Sequence, residues 1–413
     1  MTPQVFADVH PPFLPQEALV EANRCLFCVD APCTVACPTH IDVPRFIKKI
    51  ASGNLRGSAA TILDANILGL SCSRVCPVDV LCEGACVMHR YNKQPIEIGR
   101  LQRHAMDYFY DAGAKLPVAA MNSNNGRVAC VGAGPASLSC AAELRRQGFA
   151  VTVFEARDVL GGLNTYGVAE YKFRPSDSYK EIEFIRSLGV EFRTGQALGE
   201  QLSLSHLESE FDAIFLGLGL GPTEKLNIPG EDVPGVVDAV RFIADYKLGR
   251  RVFVGRRVVV IGGGNTAIDA AIAASLLGAE EVTIAYRRGP AEMSAFAFEY
   301  KHAKQTGVRF LWNAAPIRIQ GSECVEAIQF NGVHMLCDMV IVAIGQSKLA
   351  YLLGSERNFE FSNGRIVTDP LTGRTAHPKY FAGGDCANGG REVVDAVAEG
   401  KRAARAIAES LHG

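Results

Sequence analysis

Two glycine-rich turns of one design stand about 130 residues apart in this chain, and each sits between a strand-like and a helix-like run. The first reads Gly132-Ala133-Gly134-Pro135-Ala136-Ser137, the second Gly262-Gly263-Gly264-Asn265-Thr266-Ala267. Apolar runs at Arg127–Val131 and Arg257–Ile261 predict the strands before them. The runs 136–147 and 265–277 predict the helices after them, and 150–155 and 281–286 the next strands. Two copies of a βαβ unit make this an α/β chain with two Rossmann-like nucleotide-binding domains.

Each residue of the turn has a physical task. The first glycine permits the tight turn, and the second lets backbone approach a pyrophosphate. The third position must be small so that helix and strand can pack. The helix N-terminus then presents its partial positive charge to the phosphates. Behind the first turn, Glu155 ends the following strand where an acid accepts bonds from ribose hydroxyls. Gly161-Gly162-Leu163 follows closely, and Tyr380-Phe381-Ala382-Gly383-Gly384-Asp385 reads as a late strand ending in Gly-Asp. Asp385 could bond a ribityl chain. A helix starting near Glu392, with Val393 and Val394 in its first turn, could point its N-terminus at the same ligand. These pieces point to FAD, in a domain interrupted by a second nucleotide domain.

The strand after the second turn ends Tyr286-Arg287-Arg288 instead of in an acid. Guanidinium groups there favour a 2′-phosphate, hence NADPH over NADH. The alternative is that both arginines are solvated surface charges.

Thirteen cysteines are present, eight of them between Cys25 and Cys86. They read Cys25-x2-Cys28-x4-Cys33-x3-Cys37 and Cys72-x3-Cys76-x5-Cys82-x3-Cys86. Cys37 and Cys76 are each followed by proline, as ferredoxin-type ligand runs often are. Structural zinc favours paired Cys-x2-Cys knuckles, and only one such pair occurs. Two [4Fe–4S] clusters are therefore expected in residues 1–115, with helix-like periodicity at 43–51 and 57–67. Spacing alone leaves open which thiol serves which cluster. Cys130, Cys140, Cys324, Cys337 and Cys386 stand singly and read as buried packing residues. With no Cys-x-x-Cys near either nucleotide fold, a dithiol mechanism is disfavoured.

The balance of 48% hydrophobic and 21% charged residues, at a net charge of -2, is that of a soluble globular chain. No basic stripe points to nucleic acid, and no apolar run is long enough for a bilayer. The proline-rich start lacks the pattern of a signal peptide, so a cytoplasmic protein is expected. The nine histidines are dispersed, and no Ser-His-Asp set is visible.

On Cys25–Pro38, Gly69–Cys86, Pro95–Gln102, Gly132–Cys140 and Phe381–Asp385, the chain resembles a known family. It is the flavin and iron–sulfur subunit of bacterial NAD(P)-dependent dihydropyrimidine dehydrogenase, to which the glutamate synthase small subunit is related. The resemblance implies one cluster on Cys25, Cys28, Cys33 and Gln102 and another on Cys37, Cys76, Cys82 and Cys86. Cys72 then matches a cysteine that is not a ligand, where spacing alone would have chosen it. FAD would contact Gly132, Gly134, Pro135, Ala136, Ser137, Glu155, Gly162, Leu163, Gly384 and Asp385. Lys172 matches a position that is often arginine, keeping the charge without the fork. The nicotinamide nucleotide would contact Gly264, Asn265, Thr266, Ala267, Arg287 and Arg288, with Ala343 and Gly345 nearby. Ser294 departs from the pattern of some NADPH-using members, which carry arginine there.

The implied activity is hydride transfer from NADPH or NADH to FAD, then single electrons through the clusters to a partner. That partner would be a subunit with FMN and further clusters that reduces the 5,6 double bond of uracil or thymine. No segment after Asp385 is long enough for a flavin-bearing barrel, which places that half on a separate chain. The alternative is the glutamate synthase small subunit feeding an amidotransferase. A non-catalytic scaffold is disfavoured by the two intact fingerprints. No acid–base residue is required in this half. Expected domains are 1–115 for the clusters, 126–250 and 341–413 for FAD and 251–340 for NAD(P), with a linker over 116–125.

Overall fold

The computed structural model describes residues 6–113, 124–354 (main chain only at Ala350) and 357–412. Most of the expected linker, at 116–123, lies outside them. The chain divides into two compact units. One takes Val9–Thr165, Ser176–Leu220 and Lys348–Gly413; the other takes Met1–Asp8, Tyr166–Pro175 and Gly221–Ser347.

The larger unit joins a helical module to a five-stranded parallel sheet. In the module, Asp42 caps Val43–Ala51 by accepting from Arg45 N, and Asn54 caps Leu55–Ala65 by accepting from Gly57 N. Val43, Phe46, Ile47 and Ile50 recur at helical spacing and are buried. The sheet runs Tyr380–Ala382, Ala213–Leu216, Arg127–Val131, Ala150–Phe154 and Glu191–Arg193, every pair parallel. The glycine-turn strand is central, and the order reverses beside it, where open α/β sheets bind ligands. Helix Pro135–Arg146 follows that turn and packs on the long helix Val393–His412. At their crossing, a Cβ on Gly400 would stand 2.0 Å from the Ala136 carbonyl oxygen, so only glycine fits.

The helical module is not separate from this sheet. Arg146 reaches the Leu63 carbonyl at 3.1 Å, and Lys401 the Ala65 carbonyl at 3.2 Å. The expected boundary near residue 115 falls inside this compact unit, and part-buried contacts cross it.

The smaller unit repeats the design with strand order Val236–Asp238, Met339–Val342, Arg257–Ile261, Glu281–Tyr286 and Arg309–Trp312. All its pairs are parallel. A three-stranded antiparallel sheet of Pro316–Gln320, Ala327–Phe330 and Val333–Leu336 is inserted before the last crossover. Val236–Asp238 is the edge strand and pairs with Met339–Val342, so the main segment of this unit runs from Gly221 to Ser347, wider than 251–340. The excursion Tyr166–Pro175 also belongs to it. Of the five single cysteines, Cys130, Cys140, Cys337 and Cys386 are buried, whereas Cys324 is exposed. No helix among the described residues is long and apolar enough to cross a membrane.

Candidate functional site

The cysteine module gathers its thiols into two groups. Cys25, Cys28, Cys33 and Cys86 line one cavity, walled by apolar side chains that include Ile47, Met88, Ile96 and Ile98. Burial pushes the Cys33 thiol up to about 12, with the Cys25 and Cys86 charges adding to it. Burial also raises Cys25, with Cys28 and Cys86 adding. The second group is Cys37, Cys72, Cys76 and Cys82. A hydrogen bond with the Cys72 thiol, then burial, then the charges of Cys72, Cys82 and Cys37 raise Cys76. Burial raises Cys82, with Glu83 and Cys37 adding.

Thiols packed this closely in apolar surroundings resist ionising unless a cationic centre takes the charge. That donor chemistry fits iron–sulfur clusters. Among the described residues no three His, Cys, Asp or Glu groups are placed to hold a single metal ion.

This grouping differs from the expected partition. Cys86 lies with Cys25, Cys28 and Cys33, the group to which Gln102 was assigned. Gln102 is buried on helix Ile98–Asp111, and its Nε2 donates to the Gly69 carbonyl at 2.8 Å. Gly69 opens helix Gly69–Val75, which carries Cys72 and ends at Cys76. With the amide nitrogen so engaged, Oε1 is the atom left for a metal. The spacing signals the crossing of Cys37 only, since Cys86 is followed by Val87 and not by proline. In two-cluster ferredoxin runs the fourth cysteine, before proline, serves the other cluster. Here Cys37 crosses from the first run to the second group, and Cys86 crosses back.

The first glycine turn is built for a phosphate. Gly132 has φ +92°, and a Cβ there would stand 2.4 Å from the Gly217 carbonyl oxygen. Gly134 has nothing within 4 Å of a built Cβ, so open space lies where pyrophosphate is expected. Pro135 and Ala136 form the first helical positions. The Ser137 side chain is buried against Gly217, and its Oγ has no hydrogen-bond partner among the described residues. It occupies the small packing position of the turn.

Glu155 accepts from Ala133 N at 2.8 Å through one oxygen and from Arg157 N at 2.9 Å through the other. It braces the turn itself, and each oxygen keeps acceptor capacity for a ribose hydroxyl. Gly161 N donates to the Ala133 carbonyl at 3.0 Å. Gly162, at φ +58°, lies over the Gly134 Cα, which brings Leu163 to the same turn. From the sheet's other side, Gly384 at φ +72° abuts the Ala136 Cβ, and Gly384 N donates to Glu399 at 2.6 Å. Burial raises the Asp385 carboxyl, while a bond from Arg391 N at 3.3 Å opposes the shift. Val394 is buried and Val393 partly so, at the start of helix Val393–His412. A dinucleotide pyrophosphate and a polyol chain fit this cradle.

The second turn is equally open. Gly262 sits against the Ala343 carbonyl, Gly263 against the Tyr286 ring, and only Ser294 Oγ, at 3.6 Å, comes near a Cβ on Gly264. Asn265 Oδ1 accepts from Phe296 N at 3.0 Å, folding 294–296 over the turn. Thr266 is partly exposed and Ala267 buried beyond it. Gly345, at φ +112°, leaves open space beside Ala343. Arg287 and Arg288 are both exposed at the end of strand Glu281–Tyr286, and neither side chain has an ion pair among the described residues.

Lys172 makes buried ion pairs that the sequence did not show. It belongs to the smaller unit, where its Nζ lies 2.6 Å from Asp269 and 2.7 Å from Glu299. Burial works to lower its proton affinity, but the two carboxylates outweigh it and raise it. Tyr171 donates to Asp269 at 2.6 Å beside it. The ammonium is spent on this buried triad.

Known proteins agree with this architecture. Residues 2–114 match the family described as dihydropyrimidine dehydrogenase domain II, 4Fe-4S cluster. The NAD-dependent dihydropyrimidine dehydrogenase subunit PreT of Escherichia coli K12 is 33% identical, over 98% of this chain and 97% of its own. The glutamate synthase [NADPH] small chain of the same organism is 32% identical, over 97% of this chain and 93% of its own. Thioredoxin reductase of Lactococcus lactis shares the fold with a TM-score of 0.60 at 23% identity, covering 70% of this chain and 99% of that one. Residues 126–400 match pyridine nucleotide-disulphide oxidoreductase, and with that match and these relatives the chain belongs to the pyridine nucleotide-disulphide oxidoreductase family, joined to an N-terminal 4Fe-4S domain.

Proposed function

We propose that this chain is the electron-input subunit of dihydropyrimidine dehydrogenase, taking electrons from a nicotinamide nucleotide and passing them to a partner that reduces uracil or thymine. The observation that carries the electron-transfer part is the union of both thiol groups and the first glycine turn in one compact unit. The resemblance of the cysteine runs, and the PreT relative, support the pyrimidine assignment. FAD would supply hydride acceptance and the clusters single-electron carriage.

The chain's own residues hold and orient these groups. The open N-terminus at Gly134–Ala136 receives the pyrophosphate, Glu155 the ribose and Asp385 the polyol. The open turn at Gly264–Ala267 receives the nicotinamide nucleotide. Cys25, Cys28, Cys33 and Cys86 hold one cluster; Cys37, Cys76, Cys82 and Gln102 Oε1 hold the other. Cys72 remains a thiol hydrogen-bonded to Cys76.

A second reading rests on Arg287 and Arg288. Their guanidiniums, exposed and without an ion pair among the described residues, favour a 2′-phosphate and so NADPH, which suits an electron-input subunit for glutamate synthase. Anaerobic affinity capture from native cells, with assays of the captured complex, separates the two. An FMN subunit and NAD(P)H oxidation that depends on uracil support the first reading. A large amidotransferase, with oxidation that depends on glutamine and 2-oxoglutarate, replaces it with the second.

A further inference from the structure

One buried carboxylate in the larger unit has no part in holding any cofactor. Glu181, on helix Pro175–Ser187, is 1% exposed. Its Oε1 accepts from Leu70 N at 2.8 Å and from Ser71 N at 3.1 Å. Its Oε2 accepts from the Ser71 hydroxyl. Leu70 and Ser71 lie in the first turn of helix Gly69–Val75, which has no side-chain cap of its own. A residue 110 positions away therefore satisfies the amides that a helix leaves unpaired at its start.

The bonds continue in both directions. Asn164 Nδ2 donates to Ser71 Oγ at 2.9 Å. Asn164 follows Gly162 and Leu163, which lie on the Gly134 turn, and Thr165 Oγ1 meets Ser178 Oγ at 2.7 Å beside it. On the far side, Gln102 holds the Gly69 carbonyl of the same helix start. At the other end of that helix, Arg74 pairs with Asp107 and lies 3.7 Å from Asp177. A buried polar chain thus runs from the flavin-side loop through Asn164, Ser71 and Glu181 to the helix that ends at Cys76.

We propose that Glu181 is a positioning residue for electron transfer: with Asn164 and Ser71 it fixes the Cys76-bearing helix and Gln102 against the flavin-side loop, and so sets the rate at which single electrons pass between the two sites. This rests on the proposed flavin and cluster occupancy above. In the balance, a hydride brings two electrons and one proton; the proton is released, and the electrons leave one at a time. Glu181 gains and loses nothing in that step. Burial pushes its carboxyl up to about 7, against the bonds from Ser71 and Leu70. The neutral amide of glutamine is thus a fair replacement. In Glu181→Gln, the amide oxygen can keep Leu70 N and Ser71 N, while its nitrogen donates to Ser71 Oγ.

The test uses the full chain, purified anaerobically, as wild type, Glu181→Gln, Glu181→Ala and Asn164→Ala. NADPH-driven bleaching of the flavin and the subsequent reduction of the clusters are followed by stopped flow. Iron content and electron paramagnetic resonance of the dithionite-reduced protein are recorded alongside. Glu181→Ala and Asn164→Ala should bleach at the wild-type rate, reduce clusters at least tenfold more slowly and alter the resonance of one cluster only. Glu181→Gln should restore both. Wild-type cluster reduction in both alanine variants would overturn the proposal. So would a Glu181→Gln as slow as the alanine variant, since charge would then be the cause. If Glu181→Ala does not fold, Asn164→Ala decides alone, because it leaves the Glu181 cap on Leu70 N and Ser71 N in place. Wild-type protein lacking FAD or iron would instead overturn the functional reading beneath it.

Discussion

Cys86 and Cys33 face the same apolar cavity, and the charge of one raises the proton affinity of the other. The two come from different cysteine runs, so the clusters are interleaved along the sequence. Cys86→Ser and Cys33→Ser should therefore remove the same cluster, each losing about half the iron. Cys76→Ser should remove the other. Iron analysis with resonance spectra of the three variants checks this. A Cys86→Ser spectrum matching that of Cys76→Ser would restore the partition that the resemblance implied.

Lys172 offers a different kind of test, because its role is electrostatic and internal. Replacing it with methionine leaves Asp269 and Glu299 buried without their cation. Breaking a buried pair from one side costs about 3–5 kcal/mol. Lys172→Met should lower the unfolding midpoint of the smaller unit while leaving the flavin content of the larger one unchanged. Calorimetry and the flavin-to-protein absorbance ratio read the two effects separately. Loss of flavin with an unchanged midpoint would return Lys172 to the flavin site.

The pattern of legibility follows from the range of the forces involved. Both βαβ units, with their turns and helix starts, were readable because local periodicity and glycine sterics set them within about 30 residues. Glu155 and Gly384–Asp385 were readable because their place in a strand–turn motif is fixed. The exchange of Cys86 and Gln102 was not, since it depends on how two runs fold over each other. Glu181 was invisible for the same reason: nothing near it in sequence marks a carboxylate that caps a helix 110 residues away. The ion pairs of Lys172 were not readable, because the excursion Tyr166–Pro175 belongs to a unit built mostly from later residues.

Gly400 should be intolerant of even a methyl group. A Cβ there would meet the Ala136 carbonyl at 2.0 Å and Cys140 N at 3.1 Å. Relief requires the helices Pro135–Arg146 and Val393–His412 to separate, and overpacking of this kind costs about 1–3 kcal/mol. One of these two helices, Pro135–Arg146, is the one whose start is proposed to receive the pyrophosphate. Gly400→Ala should thus weaken FAD retention on dilution as well as stability, measured by flavin fluorescence after gel filtration. Full retention would show that the helix start does not hold the ligand.

Arg287 and Arg288 predict a selective nucleotide effect. If their guanidiniums take a 2′-phosphate, losing one charged hydrogen bond costs about 1.5–3 kcal/mol, or roughly 10- to 100-fold in affinity. Arg287→Ala with Arg288→Ala should raise KM for NADPH by that order and leave KM for NADH nearly unchanged. Steady-state oxidation with an artificial acceptor measures both. Equal losses for the two nucleotides would mark the arginines as general surface charge.

Lys247 should give the smaller unit an alkaline dependence of stability. Its ammonium is buried, and burial lowers its proton affinity from 10.5 to about 7, opposed by the Glu170 and Asp269 charges. Its Nζ donates to the Val168 carbonyl at 2.6 Å. Between those two values the unfolded chain holds a proton that the folded chain has given up. Stability therefore rises with pH across that window, by up to about 1.4 kcal/mol per pH unit. Below about 7 both states are protonated, and the burial penalty is constant. Lys247→Met has no such proton, so its stability should be flatter from neutral to alkaline pH than that of the wild type. Denaturant midpoints for both proteins across the window measure the difference in slope. Parallel curves would mean that the folded protein keeps Lys247 charged throughout.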